Sequence, residues 1–275
     1  MILDGKKVAQ EVYDELKNSI SKLSSPPHLH AILVGKNSPS MRYISQKQKW
    51  AEYIWMQFTL HNFDENITEN ELLKCINWLN TDTWVDGFIV QLPLPKHINE
   101  SNIINAIAPQ KDVDGFHPIN QGKIVIWDAS WLKACTPAGM MELLKYYKID
   151  PKWKNITIIG RSNIVGKPIA NLLINAQATV TICNSQTKDI DFFTKNSDIV
   201  ITALGKPHFL TTDKISQNTI VIDVGFSVID GKIYGDADFE NILQQWNPIT
   251  PVPGGVGSLT VAMLLKNTFQ AYKNK

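Results

Sequence analysis

Apolar positions along the chain alternate between two rhythms. Val8, Val12, Leu16, Ile20 and Leu23 recur at helical spacing, which predicts an amphipathic helix ended by Pro26-Pro27. Residues 29–34 form a largely apolar run that reads as a strand, closed by Gly35-Lys36-Asn37. Ser38-Pro39-Ser40 opens a second helix reaching about Trp55, and residues 57–63 read as a second strand. Leu72, Leu73, Ile76 and Leu79 mark a third helix, with Thr68 as its N-cap. A third strand over 85–92 stops at Pro93-Leu94-Pro95, which cannot continue a ladder. Residues 109–136, punctuated by Pro109, Gly115, Pro118 and Gly122, read as irregular. After a helix over 138–147 the alternation restarts, with strand 155–160, helix 164–176, strand 178–183, helix 189–196 and strands 198–203 and 219–224. A last helix, about 258–272, carries Leu259, Ala262, Met263 and Leu265 on its apolar face.

Strands that alternate with helices predict parallel sheets covered by helices. The expected fold class is α/β, with two three-layer domains. The first is expected to span 1–136, with the helix of 258–275 packing back on it. The second, 137–257, is expected to be of Rossmann type.

Composition narrows this little. Of 275 residues, 44% are apolar, and the formal net charge is +1 with no basic run, so neither nucleic acid nor an anionic membrane is an expected partner. The chain meets Asp4 before any long apolar segment, unlike a secretory signal, and no apolar run approaches a membrane span. Cys75, Cys135 and Cys183 are isolated and the six histidines are scattered, so no disulfide framework and no metal site is expected. The expectation is a cytoplasmic protein.

Candidate chemistry begins at residues 155–168. Ile156-Thr157-Ile158-Ile159 reads as a buried strand, Gly160-Arg161-Ser162 as a tight turn, and Val165-Gly166 as the opening of a helix. Unpaired N–H groups at such a helix start are expected to face a phosphate. The dinucleotide fingerprint is incomplete, because Ser162 stands where a second glycine belongs. An acidic residue about 20 positions beyond the turn holds the ribose in NAD sites. Here the next strand ends in Asn184-Ser185-Gln186-Thr187, without a carboxylate. Arg161 with a nearby hydroxyl favours NADP over NAD, since a hydrogen bond to a charged group contributes about 1.5–3 kcal/mol. From spacing alone, a solvent-facing Arg161 and an ordinary turn remain equally open.

In the first half, Tyr43 and Lys47 share a helix face, with Ser40 one turn earlier. For an arbitrary pair, a solvated lysine beside a half-buried tyrosine is the commoner reading. Three features shift it: Ser40 itself, a polar Gln91 near the end of an apolar strand, and the two carboxylates of Lys111-Asp112-Val113-Asp114-Gly115 in a loop after the same sheet. Tyr-x-x-x-Lys also matches the short-chain dehydrogenase dyad, but there the dyad follows the nucleotide turn, whereas here it precedes Gly160.

The motifs together closely resemble the bifunctional methylenetetrahydrofolate dehydrogenase/methenyltetrahydrofolate cyclohydrolase (FolD) family. The resemblance rests on Ser38-Pro39-Ser40-x-x-Tyr43-x-x-x-Lys47, Asp86 to Pro95, Lys111 to Phe116, Cys135-Thr136-Pro137, Gly160 to Pro168, Val221 to Gly225 and Thr250 to Gly257, which span nearly the whole chain in order. It implies NADP-dependent oxidation of 5,10-methylenetetrahydrofolate to the 5,10-methenyl compound, then hydrolysis to 10-formyltetrahydrofolate, by a homodimer without a metal. It implies Lys47 as the central catalytic residue with Tyr43, Gln91 and Asp114, and folate contacts from Tyr43, Val90, Gln91, Leu92, Asp114, Pro253, Gly254 and Gly255. It implies cofactor contacts from Gly160, Arg161, Ser162, Val165, Gly166, Ser185 and Phe226. In chemical terms, Asp114 can accept paired N–H donors of a pterin edge, and Gln91 is expected to orient Lys47 without adding a counter-charge. Gly254, Gly255 and Gly257 remove Cβ bulk near a ligand, though a structural turn explains them equally well. The chain departs from the family pattern at Asn184, Phe226-Ser227 and Ser258-Leu259. Two other readings are a dehydrogenase alone, opposed by the complete Tyr43, Lys47, Gln91 and Asp114 set, and a non-catalytic nucleotide-binding regulator, which would be expected to lose Lys47.

Overall fold

The computed structural model describes residues 1–128 and 131–275. The chain divides into two compact units: Gln10–Cys135 with Val261–Lys275, and Met1–Ala9 with Thr136–Thr260. Helix α1 (Gly5–Ile20) contributes residues to both.

In the unit built on residues 10–135, β1 (His28–Val34), α2 (Ser38–Tyr53), β2 (Gln57–Phe63), α3 (Glu69–Thr81), β3 (Gly87–Val90), α4 (Glu100–Ala106) and α5 (Pro118–Val125) follow in order. The sheet runs β2-β1-β3 and is parallel, with Leu29 opposite Phe58 on one side and Gly87 on the other. Residues 111–112 extend it: Phe88 bridges Asp112, and Phe88 N–H donates to the Lys111 carbonyl at 2.9 Å. The core joins Ile32, Val34, Phe88 and Val90 of the sheet to Leu72, Ile76 and Leu79 of α3 and Ile103 of α4. Helix α3 starts at a full capping box, Thr68 with Glu71. Its apolar stripe then faces the sheet, and each fully buried side chain contributes about 1.5–3 kcal/mol. Truncating Ile76 to Ala would cost roughly 2–5 kcal/mol.

The other unit contains α6 (Cys135–Tyr146, of which Cys135 belongs to the first), β4 (Asn155–Ile159), α7 (Gly166–Asn175), β5 (Thr179–Cys183), α8 (Ile190–Lys195), β6 (Ile199–Thr202) and β7 (Ile220–Asp223). Its sheet is parallel in the order β5-β4-β6-β7. The chain leaves β4 toward β5 and returns to β6 on the opposite side, so β4 and β6 flank a topological switch point. A hairpin, β8 (Phe226–Ile229) and β9 (Lys232–Gly235), then α9 (Phe239–Gln244), complete it. Helix α10 (Val256–Lys273) carries residues of both units.

Three expectations change. Residues 1–9 cluster with the second unit because Leu3 N–H donates to Ile249 at 2.8 Å, Ile249 N–H returns a bond to Met1 at 3.1 Å, and Ile249 also bridges Val221. The region predicted irregular contains α5, which starts after His117, whose ring accepts from Ile119 N–H at 3.1 Å. The strand predicted over 85–92 is shorter, 87–90, although Gln91 N–H still donates to Ile32 in ladder fashion.

Candidate active site

Helix α2 buries Ser40, Ile44, Lys47 and Ala51, a stripe at spacings of four, three and four residues. A lysine has no energetic reason to stand in such a stripe unless its ammonium is satisfied. Lys47 is 7% exposed and its Nζ donates to Gln91 Oε1 at 2.9 Å. Gln91 follows β3, and its own Nε2 donates to the Leu92 carbonyl at 2.8 Å, which turns the amide oxygen toward Lys47. Tyr43, one turn before Lys47, is 44% exposed, and partial burial raises its phenol above the ordinary value.

Asp114 completes the cluster. Burial pushes its carboxyl up to about 6, while the charge of Lys47 pulls the other way. Lys47 and Asp114 thus act on each other electrostatically, while Gln91 orients the lysine without adding a charge of its own. The other carboxylate of the loop has a different task. Asp112 is 1% exposed and accepts from Gly115 N–H (3.2 Å), His117 N–H (2.7 Å) and Asn120 Nδ2 (2.8 Å), so it knots the loop rather than meeting a ligand. Lys111 is likewise structural, donating to the Leu79 and Asp82 carbonyls. Cys135, which the residue pattern alone did not single out, places its sulfur 3.2 Å from the Val113 carbonyl and 4.0 Å from Asp114 Oδ1. Burial and the neighbouring carboxylate raise its thiol well above the ordinary value, so it is an inert thiol. Val90 is packed in the core with Val34 and Phe88, so its side chain is committed there; Leu92 is half-buried.

In the second unit, Gly160 follows β4 at φ +134°, and a Cβ there would lie 2.6 Å from the Ala203 carbonyl beyond β6. A Cβ on Gly166 would lie 2.1 Å from the Gly160 carbonyl. Both positions therefore require glycine, and the turn sits at the switch point. Arg161 and Ser162 are exposed there. Gly160 N–H donates to Cys183 at 2.9 Å, which brings this turn beside the one after β5. That neighbouring turn is closed by Asn184 and Thr187, leaves Ser185 exposed and contains no carboxylate. An anionic 2′-phosphate fits such a pair of turns, a guanidinium and a hydroxyl with no repelling acid.

One expected feature is different. The helix start of α7 is not left unpaired: Ser162 Oγ accepts from Val165 N–H (3.1 Å) and Gly166 N–H (3.4 Å), and its carbonyl accepts from Lys167 N–H (3.0 Å). Serine in place of the second glycine thus caps the helix internally, and side chains rather than free N–H groups are the exposed donors. Phe226 opens the hairpin and is 50% exposed. Pro253 is exposed, whereas Gly254, at φ +109°, packs on the N-terminal segment, where its carbonyl accepts from Lys6 N–H at 3.2 Å, and a Cβ on Gly255 would lie 2.5 Å from the Pro251 carbonyl. That packing explains these glycines without a ligand.

Among the described residues, no His, Cys, Asp and Glu group is arranged to hold a metal ion, and no helix is long and apolar enough to cross a membrane.

Residues 3–114 match the tetrahydrofolate dehydrogenase/cyclohydrolase catalytic domain, and residues 134–275 match the NAD(P)-binding domain of the same family. The chain is 50% identical to the bifunctional protein FolD of Mycoplasma capricolum, over 99% of this chain and 98% of that one. It is similar to the crystal structure of the bifunctional FolD enzyme from Campylobacter jejuni, with a TM-score of 0.98 and 46% identity, covering 100% of this chain and 99% of that one. It is also similar to the FolD of Trypanosoma brucei, solved with NADP cofactor and inhibitor, with a TM-score of 0.93 and 33% identity, covering 100% of this chain and 97% of that one. With both domains matched in order and relatives similar over their full lengths, the chain belongs to the tetrahydrofolate dehydrogenase/cyclohydrolase family.

Proposed function

We propose that this chain oxidises 5,10-methylenetetrahydrofolate with NADP⁺ and hydrolyses the resulting 5,10-methenyl cation to 10-formyltetrahydrofolate, with Lys47, Gln91 and Asp114 as its working residues. The observation that carries the assignment is the buried Lys47 ammonium, held 2.9 Å from Gln91 Oε1 in the field of Asp114. Asp114 binds the pterin edge, because an ionised carboxylate accepts two adjacent N–H donors at once. Lys47 serves the hydrolytic step. Water adds to the cationic carbon, a proton leaves the new hydroxyl, and a proton must reach the departing ring nitrogen. A single ammonium/amine group fixed beside that carbon relays both. Gln91 fixes its direction, and Tyr43 lines the same helix face. NADP⁺, when bound, supplies the hydride acceptor. Arg161 and Ser185 hold its 2′-phosphate, and the turn of Gly160, Ser162, Val165 and Gly166 gives the backbone room for it. Phe226 stands at the nicotinamide side, and Pro253 to Gly255 form a folate loop.

We also assign a cytoplasmic homodimer. Free Cys75, Cys135 and Cys183 agree with a reducing compartment. Exposed Ile182 on the edge strand β5 and exposed Val228, Ile229 and Ile233 on the hairpin support association through the nucleotide unit.

The test supplies the 5,10-methenyl compound alone and follows its loss. The native protein should accelerate hydrolysis, and Lys47→Met should lose it by about 10²–10⁴-fold. Hydrolysis by the variant at the native rate contradicts the role of Lys47.

A further inference from the structure

A polar residue stands near the middle of α10. Asn267 Nδ2 donates to the Val113 carbonyl at 2.9 Å and to the Lys133 carbonyl at 2.8 Å, and lies 3.7 Å from Cys135 Sγ. One amide nitrogen thus uses both hydrogens to tie two loops that are far apart in sequence. The first loop carries Asp114 next to the clamped carbonyl. The second contacts it backbone to backbone: Cys135 N–H donates to the Asp114 carbonyl at 3.3 Å, and a Cβ on Gly115 would lie 2.5 Å from Ala134 N. On its far side the Asp114 loop is knotted by Asp112 through Gly115, His117 and Asn120. The clamp and the knot grip the chain on either side of Asp114.

Asparagine in the interior of a helix competes with the helix for hydrogen bonds and is a poor choice on propensity alone. Among the described residues, its side chain bonds to groups outside its own helix only. It completes two carbonyls belonging to the wall of the carboxylate site. We infer that Asn267 is a positioning residue for the folate step: it sets the direction and the enclosure of the Asp114 carboxylate without touching substrate. The inference rests on the reading of Asp114 as the pterin-binding group. A carboxylate must hold both oxygens in one plane to accept paired donors, so freeing its loop costs substrate recognition more than it costs folding.

The test uses the full-length protein with Asn267→Leu, which keeps the branched shape of the side chain and removes both donors, and Asn267→Ser, which keeps one hydroxyl donor. Each is combined with Asp114→Asn. Asn267→Leu should lower kcat/KM for methylenetetrahydrofolate at least tenfold, chiefly through KM, with KM for NADP⁺ changed less than twofold. The acid limb of kcat/KM should move to lower pH, because a loosened loop lets water reach the carboxyl. Asn267→Ser should recover part of the loss. In the Asp114→Asn background, Asn267→Leu should add no further loss, since the group it positions is gone.

Equal losses toward folate and NADP⁺, or fully additive losses in the double variant, would overturn the positioning role and leave Asn267 as a folding residue. A substrate KM unaffected by Asp114→Asn alone would overturn instead the assignment of Asp114 itself. If Asn267→Leu does not fold, the single and double variants with Asn267→Ser give the same comparison with smaller effects.

Discussion

Single side chains set the chemistry, and two of them give direct predictions. Arg161 is the exposed cation of the nucleotide turn, with no carboxylate in the turn beside it. Losing a charge-assisted hydrogen bond costs about 1.5–3 kcal/mol. Arg161→Ala should therefore lower kcat/KM for NADP⁺ by roughly ten- to a hundredfold while leaving that for NAD⁺ nearly unchanged. Parallel kinetics with the two cofactors check this, and equal losses would deny Arg161 a part in the preference. Asp114 sets a pH limit. Its carboxyl is pushed up to about 6 by burial. Above that value it is ionised and accepts paired donors; as pH falls through it, the carboxylate gains a proton and one acceptor is lost. The profile of kcat/KM for the folate substrate should show an acid limb near 6, displaced or absent in Asp114→Asn. The meeting of Lys47 with Gln91 has a signal in the sequence, a polar residue in an apolar stripe and another at a strand end, whereas Tyr43 and Asp114 are marked chiefly by the family resemblance. Asn267 has no such signal, because nothing in one helix reveals which distant carbonyls it will meet.

At the level of elements, long periodic segments were readable and short ones were not. The stripes of α1 and α3 and the capping box of Thr68 and Glu71 announce themselves locally. Helices α4 and α9 are seven and six residues long, too short for a period to show. The β8–β9 hairpin had a legible signal. Asp230-Gly231 at φ +50° and +76° is the two-residue turn that favours this geometry, flanked by apolar residues on both sides. The glycine turn before α7 is legible in the sequence, but the pattern does not reveal that Ser162, standing where the fingerprint has a second glycine, accepts from the N–H groups of Val165 and Gly166 at the helix start. The packing of Gly166 leads to a prediction. A Cβ at 2.1 Å from the Gly160 carbonyl cannot be accommodated without moving the turn. Gly166→Ala should raise KM for NADP⁺ severalfold and lower stability by about 1–3 kcal/mol, read from a denaturant melt. An unchanged KM would mean that the turn does not meet the cofactor.

Across the whole molecule, pH acts on stability through groups of opposite sign. His28, His30 and His61 form one cluster on β1 and β2, with His30 stacked on His61, His28 tilted against His30, and His30 Nδ1 and His61 Nε2 at 2.9 Å. Burial lowers all three, His30 to about 3. Among the described residues the buried His30 Nε2 atom has no partner, so a second ring proton would be unsatisfied. Between about 6.5 and 3 the unfolded chain binds a proton at this position that the folded chain refuses, so the fold loses stability as pH falls through that window. For His30 the loss is on the order of 5 kcal/mol. Asp114 and Asp223, raised to about 6 and about 7, work the other way and favour the fold as pH falls toward 4. The difference between the native protein and His30→Leu isolates the histidine contribution. The variant should lose stability less steeply below pH 6.5, measured by urea unfolding at several pH values. Parallel curves would rule out the cluster as the source. The α/β alternation and the two sheets followed from the pattern of apolar runs. The return of residues 1–3 to Ile249 did not, because a three-residue segment carries no period and its partner lies at the far end of the chain.

One protein carries both chemical steps. A single spectrophotometric assay addresses that directly. The protein is supplied with 5,10-methylenetetrahydrofolate and either NADP⁺ or NAD⁺, and absorbance of the methenyl product is followed in time. With NADP⁺, the signal should rise and then decay as hydrolysis proceeds, and with NAD⁺ it should rise far more slowly. Absence of any change with either cofactor would contradict the account.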